Sequence, residues 1–159
     1  MKRGYTLVET LIYAALFVVL MGAIVNSTLL LSSSYQAIRS VKNTQNAALS
    51  AMDQMTRYIR AAESIDGTGT FYNASSSAVM LTSVDEGGDI HTVRFYRSNN
   101  RIMMDKDGSV FGPLTQNAVS VNSFVLRPID TGNSIGVKIE LEINGEYFYN
   151  TVMLRGSYQ

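Results

Sequence analysis

Acidic residues offer most of the candidate chemistry in this sequence, and Glu9 is the first of them. It lies at the start of a long apolar stretch, since positions 10 to 38 carry no charged residue. A carboxylate inside an apolar membrane span is costly unless a cation or a polar group accompanies it. Glu9 therefore has either a cationic partner or a place at the membrane interface, where water solvates it.

Two further groups of acidic residues lie in glycine-containing segments of the C-terminal half. Asp105 and Asp107 stand in the order Asp-Lys-Asp-Gly, and a second group surrounds two adjacent glycines: Asp85, Glu86 and Asp89. Calcium requires six to eight oxygen ligands, and an EF-hand loop has a glycine at its sixth position and a glutamate at its twelfth. A loop that starts at Asp105 has neither residue. We expect acidic hairpin turns without a cofactor, with Asp105 and Asp107 as weak calcium candidates.

The composition excludes several classes of site. The chain has one histidine, His91, and no cysteine, so zinc sites and histidine-based catalytic triads lack their residues. Residues 1–65 carry six basic against three acidic side chains, and residues 66–159 carry seven against ten. No broad basic patch follows from these numbers, which argues against general nucleic-acid binding. We expect no enzyme activity, and His91 is predicted to be a partly exposed sheet residue.

The apolar stretch that follows Glu9 has the length of a membrane span. Leu11 to Leu31 comprises 21 residues, about 31 Å of helix at 1.5 Å per residue, and a bilayer core is roughly 30 Å thick. Lys2 and Arg3 precede it, which places the N-terminus in the cytoplasm. The stretch is too long for the core of a cleaved signal peptide, and no small-residue cleavage site follows it. A plain signal anchor fits its length but leaves Glu9 unexplained.

The residues around Glu9 form a specific pattern. The chain begins MKRGYTLVE, which is a short basic leader ending in glycine, then an aromatic residue, threonine, leucine, a variable residue and glutamate, directly before the apolar stretch. This order resembles the prepilin processing motif of type IV pilins and type II secretion pseudopilins. The match is confined to about the first 30 residues.

The resemblance implies a role for each residue of the motif. A membrane peptidase, the prepilin peptidase, would cut after Gly4 on the cytoplasmic side and methylate the new N-terminal residue, Tyr5. Glu9 would act in assembly, with the amine of a neighbouring subunit as its cation. The implied partners are other pilin or pseudopilin subunits and an inner-membrane assembly platform. The implied location is the bacterial inner membrane, crossed once with the head outside, and then an extracytoplasmic filament.

Helical periodicity continues beyond the apolar stretch. No glycine or proline occurs between Gly22 and Gly67, and apolar residues recur at helical spacing: Tyr35, Ile38, Val41, Ala48, Leu49, Met52, Met55, Ile59 and Ala62. We predict a leader over 1–4, a membrane or filament-core helix half over 5–31, an amphipathic half over 32–65 and a head over 66–159.

Strand signals dominate the head. Predicted strands are Ala78–Val84, Ile90–Arg97, Arg101–Asp105, Ala118–Pro128, Gly136–Ile143 and Glu146–Arg155. Asn-Gly at positions 144 and 145 is a strong signal for a type I′ hairpin, and a turn is predicted around Asn99-Asn100. The predicted fold is α+β, with a long N-terminal helix packed on one antiparallel sheet of about five to seven strands.

The head also resembles a narrower group of proteins. Residues 114–155, which contain a hairpin ending Val152-Met-Leu-Arg155, are similar to the C-terminal half of J-type minor pseudopilins, called W-type in pilus systems. The expected function is therefore that of a structural subunit, minor rather than major, of a pilus or pseudopilus filament. The alternative is a tip or surface subunit whose head binds an exoprotein, DNA or a surface ligand, with Tyr147, Phe148 and Tyr149 as candidate contacts.

Overall fold

The computed structural model describes residues 6–85, 87–132 and 134–155, and the chain divides between Val41 and Lys42 into two compact units. The described residues form one helix and eight strands, which confirms the predicted α+β class. The helix, α1, is Leu7–Ala61, and the strands are β1 (Ser64–Phe71), β2 (Ala78–Val84), β3 (Ile90–Ser98), β4 (Arg101–Lys106), β5 (Ser109–Pro113), β6 (Val121–Asp130), β7 (Ile135–Ile143) and β8 (Glu146–Met153).

Hydrogen bonds of the backbone explain where α1 begins and ends. At its start, the backbone N–H of Glu9 donates to the carbonyl oxygen of Thr6 at 3.0 Å and lies 3.4 Å from the Thr6 hydroxyl, so Thr6 caps the helix. At its end, the N–H of Glu63 donates to the carbonyl of Thr82 at 2.9 Å, which draws the chain into β1. The predicted continuation of the helix to residue 65 is therefore wrong, because pairing with β2 satisfies this backbone instead.

The second half of α1, in the second unit, buries one face. Its buried residues are mostly small or flexible: Thr44, Ala47, Ala48, Ala51, Met52, Met55 and Ile59. The predicted apolar face is wrong at Tyr35, Ile38, Val41 and Leu49, whose side chains are all exposed. Leu49 follows Ala48 by one residue, a rotation of about 100°, which carries its side chain out of the buried arc. The three alanines allow the helix backbone to approach the sheets closely.

Two antiparallel sheets replace the single predicted sheet. Sheet one has the order β1-β2-β3-β4-β5, and sheet two has the order β6-β7-β8. The segment between β1 and β2 lies along β6, where the N–H of Ser77 donates to the carbonyl of Phe124 at 2.9 Å and the N–H of Phe124 donates to that of Ser75 at 3.0 Å. This segment occupies the edge of β6, so sheet two ends there instead of continuing into sheet one.

One apolar core joins the second half of α1 to both sheets. Sheet one contributes Val79, Leu81, Val93, Phe95, Ile102 and Met104, and sheet two contributes Phe124, Leu126, Val137, Ile139, Leu141 and Val152. The ring of Tyr58 on α1 meets that of Phe95 edge to face, with centroids 5.8 Å apart. The strands other than β1 and β5 alternate between this core and the opposite face, so each sheet has an outer face turned away from the core.

Three hairpins have two central residues with positive φ, as type I′ turns require. They are Asn99-Asn100 (49° and 56°), Asp107-Gly108 (51° and 76°) and Asn144-Gly145 (51° and 84°). The first and third confirm the turns predicted from the sequence. The second shows that the Asp-Lys-Asp-Gly segment has the residues of a tight turn between β4 and β5.

Candidate functional site

The first unit presents apolar side chains on every side of α1. Phe17, Val18, Val19 and Leu20 are consecutive and therefore cover a full turn, and each is between 60% and 69% exposed. In the described residues up to Lys42, every side chain except that of Glu9 is exposed. A helix that is apolar all round needs lipid or other helices around it. In the described part of the chain, α1 is the one helix that is long and apolar enough to cross a membrane.

Hydroxyl groups in this unit bond to the helix itself. Five of them donate to a carbonyl oxygen three or four residues earlier, at 2.8 to 3.0 Å: Thr10, Ser27, Thr28, Ser33 and Ser34. Such back-bonding satisfies hydroxyl groups where water is absent. Ser27 and Thr28, near the far end of the apolar stretch from Leu11 to Leu31, are thus compatible with apolar surroundings. The helix is also continuous through Gly22.

Glu9 is the half-buried acidic residue of the first helical turn. Thr6 and Glu9 have the spacing of a capping box, and the positive end of the helix dipole favours a carboxylate there. No ion pair involves Glu9 within the described residues. Gly4 and Tyr5, where cleavage and methylation are predicted, lie outside the described residues.

The two calcium candidates bind different partners. The carboxylate of Asp105 accepts from the hydroxyl of Tyr96 at 3.0 Å, on the outer face of sheet one. Asp107 accepts from the backbone N–H of Thr92 at 2.8 Å and contacts His91. No group of three or more histidine, aspartate or glutamate side chains in the described ranges could hold a metal. Glu86, of the other acidic group, is outside those ranges.

His91 links two hairpins of sheet one. Its Nδ1 lies 3.0 Å from Oδ2 of Asp107, in the β4–β5 turn, and its Nε2 lies 3.5 Å from Oδ2 of Asp85, in the β2–β3 connection. Asp85 also accepts from the backbone N–H groups of Gly87 and Asp89, both at 2.9 Å. No sequence motif predicts that these three residues form one cluster, because the strand register brings them together.

Each member of this cluster has an altered affinity for protons. Hydrogen bonding and charge from Asp107, followed by those from Asp85, raise the pKa of His91 above its ordinary value. The backbone N–H of Thr92, followed by His91, lowers the pKa of Asp107. The backbone N–H of Asp89 is the largest cause that lowers the pKa of Asp85. The two carboxylates therefore favour the protonated form of His91, which lies between them.

The tyrosines considered as ligand contacts lie on sheet two. Tyr147 and Tyr149 are exposed on its outer face at 63% and 61%, whereas Phe148 packs on the core. The ammonium of Lys138 lies 5.5 Å from the ring centre of Tyr149 and 2.9 Å from Glu140. This face therefore offers exposed aromatic rings beside a cation that already has a carboxylate partner.

Comparison of the chain with protein-family models, with curated proteins and with solved structures found no match.

Proposed function

We propose that this chain is a subunit, minor rather than major, of a type IV pilus-like or type II secretion pseudopilus filament. The observation that carries the proposal is the position of the motif Gly4-Tyr5-Thr6-Leu7-Val8-Glu9, which leads into the exposed apolar half of α1. Processing after Gly4 removes Lys2 and Arg3, the two charges that hold the segment at the cytoplasmic face. The helix can then leave the bilayer for a filament core.

The surface of α1 supports this proposal. In the first unit the apolar side chains of α1 are exposed on every side of the helix, and the hydroxyl groups of Ser27 and Thr28 donate to carbonyl oxygens of the same helix. Such a helix is suited to two environments, lipid and a bundle of like helices. A filament subunit occupies both in turn, first as a membrane precursor and then in the polymer.

The two possible roles, filament subunit and simple membrane anchor, differ in whether Glu9 needs a protein partner. In a bundle of apolar helices an unpaired carboxylate costs on the order of several kcal/mol, and the free amine of Tyr5 on an adjacent subunit can neutralise it. The pair would set the stagger between subunits, because any other stagger leaves two unpaired charges. In a simple anchor the carboxylate lies at the interface and needs no protein partner.

The Glu9→Ala variant tests this role. It should still be cut after Gly4 and still insert, but its recovery with partner subunits after mild solubilisation should fall strongly. Glu63→Ala is the matched control, since Glu63 is an exposed glutamate just beyond α1 and its loss should leave recovery unchanged. Equal recovery of wild type and Glu9→Ala would mean that Glu9 is only an interfacial charge.

A second candidate, a tip or surface subunit that binds a ligand, is favoured by the exposed Tyr147 and Tyr149. The double variant Tyr147→Ser and Tyr149→Ser should leave incorporation into filaments intact and reduce binding of the ligand to the head. Loss of incorporation would instead assign these tyrosines to subunit contacts.

A further inference from the structure

Two neighbouring rows of side chains cross the outer face of sheet two from β6 to β8. The backbone register forms the first row from Val125, Glu140 and Tyr149, and the second row from Ser123, Glu142 and Tyr147. Directly opposite side chains on one face of an antiparallel pair have Cβ atoms about 4.5 to 5.5 Å apart, so each glutamate stands beside its tyrosine. Both rows therefore contain the same two groups, a carboxylate on β7 and a phenol ring on β8.

A lysine of the same chain occupies the first row. The ammonium of Lys138 lies 2.9 Å from Oε1 of Glu140 and 5.5 Å from the ring centre of Tyr149. Arg127 supplies a second cation, with its Nε 3.0 Å from the same carboxylate oxygen. A carboxylate and the face of an aromatic ring both attract an ammonium. The head thus contains its own example of a lysine held between a glutamate and a tyrosine.

The second row has no such cation. Glu142 is half-buried, and among the described residues it has no ion pair and no side-chain hydrogen bond. The residues opposite it, Ser123 and Tyr147, carry no positive charge. Lys138 lies four residues earlier on β7, about 13 Å away along the strand, and already pairs with Glu140. A carboxylate that has lost part of its water is stabilised by a cation, which leaves this position open for one from outside.

A surface cavity of about 130 Å³ lies at the second row. The polar residues of its lining include two carboxylates and no basic group: Ser123, Glu140, Glu142, Tyr147 and Tyr149. Both tyrosines are more than 60% exposed, so a side chain from another molecule can enter beside them. A water molecule occupies about 30 Å³ of the liquid, and an ammonium is of similar size. The cavity therefore has room for an ammonium and for part of the carbon chain that carries it.

We propose that this cavity binds a lysine side chain of a partner protein. The ammonium pairs with Glu142 and lies against the ring of Tyr147, as Lys138 does with the glutamate and tyrosine of the first row. Lysine fits because its compact charge needs no planar fork of acceptors. The inference rests on the second candidate function, a head that binds a ligand, and names the chemical class of that ligand. It does not depend on cleavage after Gly4 or on the pairing of Glu9.

Two small probes test the proposal with the full chain in phosphatidylcholine nanodiscs. They are N-acetyl-lysine methylamide and N-acetyl-norleucine methylamide, which share a four-carbon side chain and differ in the ammonium. The chain is labelled with 3-fluorotyrosine, and the fluorine resonance of Tyr147 is assigned by its loss in Tyr147→Phe. Titration should give a saturable shift of this resonance, with about tenfold tighter binding of the lysine probe, as an exposed ion pair and a cation–π contact together imply.

Two variants identify the group responsible. Glu142→Gln, which keeps the shape but loses the charge, should abolish the preference for lysine, while unchanged resonances of the distant tyrosines show that the head is folded. Glu146→Gln is the matched control and should keep the preference, because Glu146 is an exposed glutamate of the same hairpin outside the cavity. Equal binding of the two probes to wild type, absence of a saturable shift, or a preference that survives in Glu142→Gln would each overturn the proposal. The filament proposal is tested separately, by the recovery of Glu9→Ala.

Discussion

Substitutions at Asn144 separate the contribution of its side-chain hydrogen bonds to the stability of the head from that of its left-handed backbone. Asn144 occupies the left-handed region, with φ of 51°. Its Oδ1 accepts from the backbone N–H of Ser120 at 3.0 Å, and its Nδ2 donates to the hydroxyl of Thr44 on α1 at 2.8 Å. One turn residue thus joins the β7–β8 hairpin to the helix and to the loop before β6.

The magnitudes follow from these contacts. Asn144→Gly keeps the left-handed backbone but loses two side-chain hydrogen bonds, each worth about 0.5 to 1.5 kcal/mol. The expected loss is therefore about 1 to 3 kcal/mol in the free energy of unfolding. Asn144→Ala adds the left-handed penalty of about 1 to 2 kcal/mol, for a total of roughly 2 to 5 kcal/mol.

The assay is urea unfolding of the full chain in detergent micelles, followed by the near-UV circular dichroism of its tyrosines. Asn99 is the matched control, since its φ is 49° and it makes no side-chain hydrogen bond in the described structure. Asn99→Gly should change the free energy by less than about 0.5 kcal/mol, and Asn99→Ala should cost about 1 to 2 kcal/mol. If Asn144→Gly were as mild as Asn99→Gly, the bonds to Thr44 and Ser120 would not contribute to stability.

Three further predictions concern the His91 contacts, the fragment 30–159 and the buried face of α1. In an NMR titration the single imidazole, His91, should have a pKa above its ordinary 6.5, and Asp107→Asn should lower it; a value at or below 6.5 would contradict the cluster. The stabilisation that the His91 contacts provide is complete below the ordinary pKa of histidine and is lost as pH rises through the raised pKa of His91. In acid the contact with Asp107 is also lost, when the pH falls through the lowered pKa of that carboxylate. Residues 30–159 should be soluble, folded and monomeric by analytical ultracentrifugation, and an insoluble fragment would refute the division into helix and head. Met55→Ala, at a fully buried site, should cost about 2 to 5 kcal/mol in urea unfolding, whereas Leu49→Ala, 65% exposed, should cost under about 0.5 kcal/mol; equal losses would contradict the buried face of α1.

Local signals predicted much of the fold. The strand Ala78–Val84 has the predicted ends, and the turns at Asn99-Asn100 and Asn144-Gly145 were recognised because few residues tolerate positive φ. These features depend on a few neighbouring residues. Alternation and turn chemistry therefore suffice to identify them.

Features that depend on tertiary contacts were not predicted. The strands β1 and β5 lie at the two edges of sheet one, contain glycine and bury little, so neither shows a clear alternation. The division into two sheets depends on residues 73–77 lying along β6. Likewise, Asp107 was considered as a calcium ligand because the sequence shows the carboxylate but not its pairing with His91 and Thr92.

The mature N-terminus is the most direct test of the proposed function. The chain should be expressed in a bacterium that has a prepilin peptidase, and the N-terminal peptide of the membrane-associated protein analysed by mass spectrometry. Gly4→Val is the control and should leave Lys2 and Arg3 on the protein. The proposal predicts that the wild-type chain starts at Tyr5 with a methylated amine, and an N-terminus beyond residue 20 or an uncut leader would contradict it.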